Sequence, residues 1–325
     1  MDSISPVIHL GLQKTASTFL QKEVFGPLDA FHTPWDTLSA KAIEHFVLQH
    51  PSKFDVEIIR RDLEAPAGKT TVVSHEDLIG FPVLGRYYAE QTIRRIAHAL
   101  PRARVLVVVR EQRSMLLSNY FQQVRQGGTL TISQMLAENV DRTGFRPRLR
   151  LDHFEYDLTY ELLRQYFPAD QILMLPFELL QFDKAGFVSR LSQFSGVDIR
   201  PTIGEKIVNK KRGPAAMRVE RFLNQIMPNP ENPPESYGQY PIWVRGRNRI
   251  VKVIDKLTQD TQLGKGHKDS LRQFIEDFVS DYYDESNQRL GALLSTDLAA
   301  LGYRVGTTNA HSTDRGMPAS EASAL

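Results

Sequence analysis

The sequence predicts an α/β fold in which a parallel sheet is flanked by helices on both faces, with extra helices toward the C-terminus. Four short apolar runs alternate with longer amphipathic stretches, as expected when strands are buried on both faces. The first run leads into a glycine, a lysine and several hydroxyl side chains, which indicates a strand, a phosphate-holding turn and a helix. The predicted sheet is therefore P-loop-like.

The four predicted strands are short, and two of them are rich in β-branched residues, as buried parallel strands usually are. They cover residues 7–10, 70–74, 105–109 and 172–175. Amphipathic periodicity and Gly or Pro stop signals place helices between and after them. These helices cover residues 17–25, 35–50, 54–64, 84–100, 114–126, 132–140, 158–167, 187–194, a stretch beginning at Pro214, and 270–294.

Composition limits the class of protein. The chain has 325 residues, a formal charge of +2 and no cysteine, which excludes disulfides, thiolate metal sites and cysteine nucleophiles. No apolar run approaches the roughly 20 residues of a membrane span, and no signal-peptide pattern is present. We expect a cytoplasmic protein with no transmembrane segment and no nucleic-acid partner. We expect one α/β domain over residues 1–305 and a disordered tail over 306–325.

Ligands of open parallel sheets lie at the carboxyl ends of the strands. Three such ends carry polar residues, namely residues 11–18, 74–77 and Arg110. In the first, Lys14 adds a charge to a helix N-terminus, while Thr15, Ser17 and Thr18 offer hydroxyl donors. The spacing is not that of a Walker A loop. Ser and Thr also cap helices that bind nothing, so capping alone is an alternative.

The strongest predicted strand ends in Arg110, whereas a Mg-dependent P-loop enzyme would place a carboxylate after its second strand to hold the metal. A guanidinium suits bidentate phosphate contact. Ser118 follows eight residues later in the next helix and can point toward the same anion. The alternatives are a structural ion pair for Arg110 and no role for Ser118.

Three motifs in order resemble those of sulfotransferases that use 3′-phosphoadenosine 5′-phosphosulfate (PAPS), in particular the bacterial carbohydrate-type branch. Residues 11–21, GLQKTASTFLQ, resemble the family's 5′-phosphosulfate loop, often of K-T-G-T-T-x-L-Q form. Residues 109–120, VREQRSMLLSNY, resemble its 3′-phosphate motif. Residues 283–290, YDESNQRL, resemble its late Y-x-x-x-N-x-x-L helix.

The first two motifs depart from the family pattern at three positions. Ala16 replaces the usual glycine and costs the loop backbone freedom. Gln13 stands where a smaller residue or proline is frequent. Glu111 places a carboxylate beside Arg110, which we expect to weaken a 3′-phosphate contact. No departure removes a charged or hydroxyl group that the chemistry needs.

The resemblance implies transfer of a sulfuryl group from PAPS to a hydroxyl (or amine) acceptor, with 3′,5′-ADP as product and no metal. The implied acceptor is a carbohydrate or glycolipid. Lys14 would stabilise the leaving oxygen, and Glu76 or His75 would be the general base. The implied donor-binding residues are Gln13, Lys14, Thr15, Ala16, Ser17 and Thr18 for the 5′ side, Arg110 and Ser118 for the 3′-phosphate, and the basic loop with Lys211, Arg212 and Gly213.

Two other functions remain open from the sequence. One is a P-loop nucleotide kinase, against which the loop spacing and Arg110 both speak. The other is a non-catalytic nucleotide-binding protein that kept the fold. The segments that would shape an acceptor pocket, near residues 81–88, 143–157 and 228–243, carry no recognisable motif, and we expect residues 228–241 to form a long loop or lid.

Overall fold

The structure is a computed structural model that describes residues 5–35, 40–137, 140–141, 146–147, 149–200, 213–227, 240–258 and 262–306. Residues 228–239 of the predicted lid (228–241) lie outside these ranges, and residues 240–241 begin a helix. Lys211, Arg212 and all of the predicted tail except Gly306 also lie outside. None of the helices in the described ranges is both long enough and apolar enough to span a bilayer.

A five-stranded parallel sheet forms the centre of the fold, in agreement with the predicted α/β class. Its strands are β1 (Val7–Leu10), β2 (Phe31–His32), β3 (Thr70–His75), β4 (Arg104–Val109) and β7 (Ile172–Pro176), in the order β2-β3-β1-β4-β7. A separate antiparallel pair joins β5 (Val140–Asp141) to β6 (Arg146–Pro147). Strand β1 lies between β3 and β4, so the chain reverses its direction of winding beside the end of β1, where α/β sheets bind ligands.

Alternate residues of each central strand face opposite sides of the sheet, and each side has its own apolar core. Ile8 and Leu10 belong to the larger core, whereas Val7 belongs to the smaller one. The residues of both sets are almost completely buried. Burial on both faces explains why the strands are continuous apolar runs rather than alternating ones.

Helices cover both faces. They are α1 (Ser17–Phe19), which continues as a π-helix (Leu20–Phe25), α2 (Lys41–Ile43), which continues as a π-helix (Glu44–Leu48), α3 (Val56–Asp62), α4 (Ala89–Ala99), α5 (Gln112–Arg125), α6 (Ile132–Leu136), α7 (Tyr156–Arg164), α8 (Phe177–Phe182), α9 (Lys184–Ser195), α10 (Pro214–Ile226), α11 (Tyr240–Thr258), α12 (Gln262–Val279) and α13 (Asp284–Leu294). The last four are the extra helices toward the C-terminus, of which α10, α13 and the second half of α12 lie in stretches predicted to be helical.

Four predicted helices differ from the structure. The stretch 132–140 is helical only over Ile132–Leu136, and Val140 belongs to β5. The stretch 84–100 becomes helical only at Ala89, because Gly85 has a φ of 66° and ends a short turn. The predicted helix 270–294 is two helices, since Ser280 has a φ of 39° and interrupts the hydrogen-bonding pattern. The helix predicted from Trp35 begins at Lys41 in the described part of the chain. The elements β2, β5, β6, α8 and α11 were not predicted.

The late motif ties the C-terminal helices to the sheet. Asn287 of α13 and Gln112 of α5 exchange two side-chain hydrogen bonds, at 2.7 and 3.1 Å. Tyr283 donates to the carbonyl oxygen of Leu151 at 3.0 Å, and Leu290 is completely buried. Both polar side chains of the pair are buried, so each needs the other as a partner. This motif therefore holds the start of α5 in place.

Candidate active site

The loop between β1 and α1 packs directly against the end of β3. The backbone N–H of Gly11 donates to the carbonyl oxygen of His75 at 3.2 Å, and a Cβ atom built on Gly11 would lie 2.5 Å from the Cα atom of Glu76. No side chain fits there. Glycine is thus required because the residue that follows β1 touches the residue that follows β3.

The side chain of Gln13 fastens the same two segments together. Its Nε2 atom lies 2.7 Å from Asp77 Oδ1, 3.1 Å from the carbonyl oxygen of Gly80 and 3.2 Å from that of Glu76. Gln13 is buried, so these acceptors replace water around its amide. The predicted role of Gln13 is donor binding, and its observed contacts are to the loop after β3.

Two residues of the loop have left-handed backbone conformations without being glycine. Lys14 has a φ of 68° and Ala16 a φ of 67°. Left-handed backbone costs an L-residue about 1–2 kcal/mol because Cβ approaches the following carbonyl oxygen. Alanine in place of the family's usual glycine at position 16 therefore keeps the left-handed conformation of the loop, and the protein bears the strain energy of that conformation.

The three hydroxyl side chains of the loop have different surroundings. Thr15 is completely buried and donates to the carbonyl oxygen of Leu12 at 2.5 Å. Ser17 is buried, and its Oγ atom has no hydrogen-bond partner among the described residues. Thr18 is exposed on the first turn of α1. Of the three, Ser17 is the buried group whose hydrogen-bonding capacity is unused.

Arg110 reaches from the end of β4 to the loop. Its Nη1 atom donates to the carbonyl oxygen of Lys14 at 3.2 Å, and its guanidinium lies over the ring of Phe177, 5.1 Å from the centroid. Its Nε atom is buried and has no partner in the described part of the chain. Burial lowers the pKa of Arg110, and the carboxylate of Glu178 opposes this shift. The guanidinium is thus held by the Phe177 ring and the Lys14 carbonyl oxygen, and its Nε–H remains available to a ligand.

Glu111, the carboxylate that the sequence places beside Arg110, contacts the start of α5. Its carboxylate caps α5 by accepting from the backbone N–H groups of Arg113 and Ser114, at 3.0 and 2.8 Å. It also pairs with the Arg113 side chain at 2.6 Å. The carboxylate is engaged at the start of the helix, and its charge still raises the pKa of Arg110, as does that of Glu178. Ser118 is half-buried two turns further along α5.

Burial and three charged groups act on the pKa of Lys14. Burial lowers its pKa most, the Arg125 cation lowers it further, the Glu76 carboxylate raises it, and Arg110 lowers it. In turn, burial raises the pKa of Glu76, Asp77 raises it further, and Lys14 lowers it, although the carboxylate reaches solvent. The predicted lysine, arginine and glutamate are therefore close enough to influence one another.

The imidazole of His75 has one nitrogen already engaged. Its Nδ1 atom accepts a hydrogen bond from the backbone N–H of Asp77 at 3.1 Å. In the neutral ring the proton then lies on Nε2, so both nitrogens are committed, one as acceptor and the other as donor. Burial lowers the pKa of His75, and Asp77 opposes this shift.

The basic loop is described only at its end. Lys211 and Arg212 lie outside the described residues. Gly213 is half-buried at the start of α10, where its N–H donates to Asp255 Oδ1 at 2.6 Å. The predicted donor contacts of all three residues stay predictions.

Residues 88–201 match the sequence profile of the sulfotransferase family. This segment contains β4, Arg110 and the whole of α5, that is, one side of the site described above. This segment of the chain therefore has the sequence features of a sulfotransferase. The carbohydrate-type branch suggested by the motifs remains a proposal, and no curated protein sequence matches the chain.

Two solved structures are similar to the chain, and the first of them has the same fold. It is similar to a sulfotransferase from Alicyclobacillus acidocaldarius, with a TM-score of 0.56, 14% sequence identity, and coverage of 92% of this chain and 99% of that one. A second similarity is to the sulfotransferase domain of the Synechococcus PCC 7002 olefin synthase, with a TM-score of 0.38, 15% identity, and coverage of 65% of this chain and 82% of that one. At 14% sequence identity, the similarity to the Alicyclobacillus acidocaldarius structure supports the α/β fold.

Arg125 and the residues behind Arg110 are missing from the sequence-based prediction. Arg125 lies seven residues after Ser118, two helical turns along the same side of α5. This spacing could have predicted that Arg125 lies on the side of α5 that faces the site. Tyr156 donates to the carbonyl oxygen of Arg110 at 2.8 Å, and Tyr303 donates to Glu178 at 2.9 Å. Long-range packing brings these last groups together, so the sequence carries no local signal for them.

Proposed function

We propose that the chain transfers a sulfuryl group from PAPS to a hydroxyl (or amine) of a carbohydrate or glycolipid. The observation that carries this proposal is the meeting of Lys14, Arg110 and Glu76 at one edge of the sheet, joined by the Arg110–Lys14 hydrogen bond and the Gly11–Glu76 contact. Two cations suit an anionic donor, and one carboxylate suits an acceptor proton. Bound PAPS would supply the sulfuryl group.

Unused hydrogen-bond groups support the fit of such a donor. Ser17 Oγ and Arg110 Nε are buried and unpaired within the described residues, and buried polar groups normally have partners. Ser17 lies three residues after Lys14, at the start of α1, and Arg110 contacts the Lys14 carbonyl oxygen from the end of β4. Phosphate oxygens would satisfy them, with Ser17 on the 5′ side and Arg110, together with Ser118, on the 3′ side.

Lys14 would stabilise the negative charge that develops on the leaving oxygen. Lys14 lies in the loop after β1 with a left-handed backbone conformation, and Arg110 donates a hydrogen bond to its carbonyl oxygen. Arg125 and Arg110 both lower its pKa, and an anionic donor would oppose that effect. The ammonium would therefore gain stability when the donor binds.

Glu76 is the better general base. The acceptor hydroxyl must lose its proton as the new S–O bond forms, and a base needs a free lone pair. His75 has none in its neutral form, because Nδ1 accepts from Asp77 and Nε2 carries the proton. Glu76 reaches solvent, and burial of its surroundings raises its pKa toward that of a useful base.

The acceptor class rests on the resemblance of the motifs to the bacterial carbohydrate-type branch. It is tested by transfer of labelled sulfate from PAPS onto a panel of glycans, glycolipids and phenols, and glycan or glycolipid labelling is expected. Lys14→Ala should abolish labelling. Labelling of phenols alone would contradict the acceptor class, and no labelling would contradict the activity.

Donor binding is tested separately by thermal unfolding. Saturating 3′,5′-ADP should raise the melting temperature in EDTA, because a ligand that binds only the folded state stabilises it. The described residues contain no group of three or more potential His, Asp or Glu metal ligands. Stabilisation by ATP with magnesium, but not by 3′,5′-ADP, would instead support a nucleotide kinase.

A further inference from the structure

Helices α10 and α11 form an antiparallel pair on the outside of the molecule. Two hydrogen bonds define their direction, one from Gly213 N–H to Asp255 Oδ1 at 2.6 Å and the other from Arg247 Nη1 to Asn224 Oδ1 at 2.8 Å. Residue numbers rise along one helix as they fall along the other. The inner side of the pair is buried, including Asn224, Arg247 and Val251.

The outer side of the pair carries large apolar side chains in solvent. Phe222 and Ile226 on α10 are 60% and 64% exposed. On α11, Ile250, Val253 and Leu257 are 44%, 59% and 72% exposed. Spacings of three and four residues place each set on one side of its helix. Single exposed apolar residues are common, but five on two adjoining helices form a patch that indicates an interaction surface.

A row of cations runs beside the apolar residues of α11. Arg245, Arg249, Lys252 and Lys256 are all exposed, and their spacing of four, three and four residues places them on one side of the helix. No salt bridge connects any of the four to a residue in the described ranges. The acidic Asp255 is engaged elsewhere, with Gly213. The outer side of α11 thus has an apolar row and a cationic row next to each other.

We propose that the outer side of α10 and α11 docks onto the surface of an anionic lipid bilayer. A helix with an apolar side and adjoining Lys and Arg residues lies in the membrane interface, where the apolar side chains enter the acyl boundary and the cations meet anionic headgroups. The surface is not suited to a second copy of the chain. A symmetric dimer through this patch would bring the same four cations of each copy together.

The docking surface is attached to the helix that forms the candidate site. Asn224 donates to the carbonyl oxygen of Val124 at 2.7 Å, and Arg247 Nη2 donates to that of Arg125 at 3.4 Å. Arg125 in turn acts on the pKa of Lys14. A bilayer bound to α11 would therefore lie close to the site. The docking itself does not depend on the proposed function.

The test is flotation of the full-length protein with vesicles. Vesicles of phosphatidylcholine containing about one third phosphatidylglycerol should carry the protein, and pure phosphatidylcholine vesicles should not. Binding should fall at about 0.5 M salt, where charges are screened over a few ångströms. The double variant Arg249→Gln, Lys252→Gln should lower the partition coefficient more than tenfold, at about fivefold per charge.

Apolar and control variants separate this surface from others. Val253→Ser with Leu257→Ser should also reduce vesicle binding at least tenfold. Phe278→Ser is the control on another helix, because Phe278 is an exposed aromatic residue on α12 beside the acidic Asp277. Its binding should equal that of the unchanged chain. Melting temperatures show that every variant is folded.

Three results would overturn the proposal. The first is the absence of binding to anionic vesicles. The second is equal loss of binding in the Phe278→Ser control. The third is a dimer, seen by light scattering of the unchanged protein, that dissociates in the Val253→Ser, Leu257→Ser variant, since the patch would then be an interface between copies. Sulfate transfer and nucleotide binding enter none of these outcomes, so failure here leaves the proposed activity standing.

Discussion

Arg110 donates a hydrogen bond from Nη1 to the carbonyl oxygen of Lys14 at 3.2 Å, which joins the end of β4 to the loop after β1. The two residues are the cations to which we assign the two phosphate ends of the donor. The Arg110–Lys14 hydrogen bond therefore fixes how far apart the proposed 5′-phosphosulfate and 3′-phosphate positions lie. It also explains why the guanidinium, rather than an ammonium, suits this place, since a planar group can hold the carbonyl oxygen and still offer further donors.

We expect Arg110→Lys to lower the affinity for 3′,5′-ADP about 100-fold, because charge-assisted, bidentate contacts are worth a few kcal/mol. Affinity for 5′-AMP, which lacks the 3′-phosphate, should change much less. Calorimetric titration measures both. Arg113→Lys is the control, since Arg113 pairs with Glu111 and Glu276 instead. Equal losses for the two nucleotides would show that Arg110 does not bind the 3′-phosphate.

We expect Glu76→Gln to lower kcat by about two to four orders of magnitude, as is typical for loss of a general base. Burial raises the pKa of Glu76 above its ordinary 4.5. A base must be deprotonated, so kcat/KM of the unchanged enzyme should rise with pH through a value above 4.5. That rise should be absent in Glu76→Gln.

The His75→Gln variant is the comparison for the pH profile. Its profile should keep the rise, because His75 has no free lone pair in the neutral ring. If the rise were lost in His75→Gln and kept in Glu76→Gln, the assignment of the base would be reversed.

We expect Ala16→Gly to stabilise the protein by about 0.5–1 kcal/mol, because glycine relieves left-handed strain at a φ of 67° and loses part of that gain in chain entropy. Denaturant unfolding measures the change. Ala97→Gly in the middle of α4 is the matched control, and it should destabilise by about 1 kcal/mol. Destabilisation by both substitutions would mean that Ala16 is not strained.

We expect stability to fall as the pH decreases from 6.5 to 4. Complete burial lowers the pKa of His9 to about 4. As the pH falls below 6.5, His9 is therefore protonated in the unfolded chain before it is protonated in the folded one, which favours unfolding. His9 thus contributes about 3 kcal/mol above pH 6.5, and this contribution is lost as the pH falls through that window.

Unfolding midpoints at several pH values measure this loss. His9→Asn should reduce the slope, and His153, whose pKa burial also lowers to about 4, accounts for part of the remainder. His98→Gln, an exposed substitution on α4, should leave the slope unchanged. An unaltered slope in His9→Asn would contradict the role assigned to His9.

The sequence predicted the elements whose signals are local and long enough. All four predicted strands are present, because burial on both faces leaves unbroken apolar runs. Strand β2 has only the two residues Phe31–His32, too few for any pattern. The predicted helix 270–294 was wrong for a different reason. Its apolar spacing continues past Ser280, while the break comes from one left-handed residue whose type does not require it.

The sequence by itself determined that Lys14, Glu76 and Arg110 follow strands of a parallel sheet, which places them at one edge. It could not determine how those strand ends fit together. Tertiary structure decided that Glu111 caps α5, that Gln13 binds the loop after β3, and that His75 has no lone pair to offer as a base. The existence of the strands follows from periodicity along the chain, whereas the hydrogen-bond partner of a side chain such as Gln13 depends on how the elements pack. Gly11 shows the difference, since its need for glycine arises from a Glu76 backbone atom that only the folded sheet brings within 2.5 Å of a Cβ position.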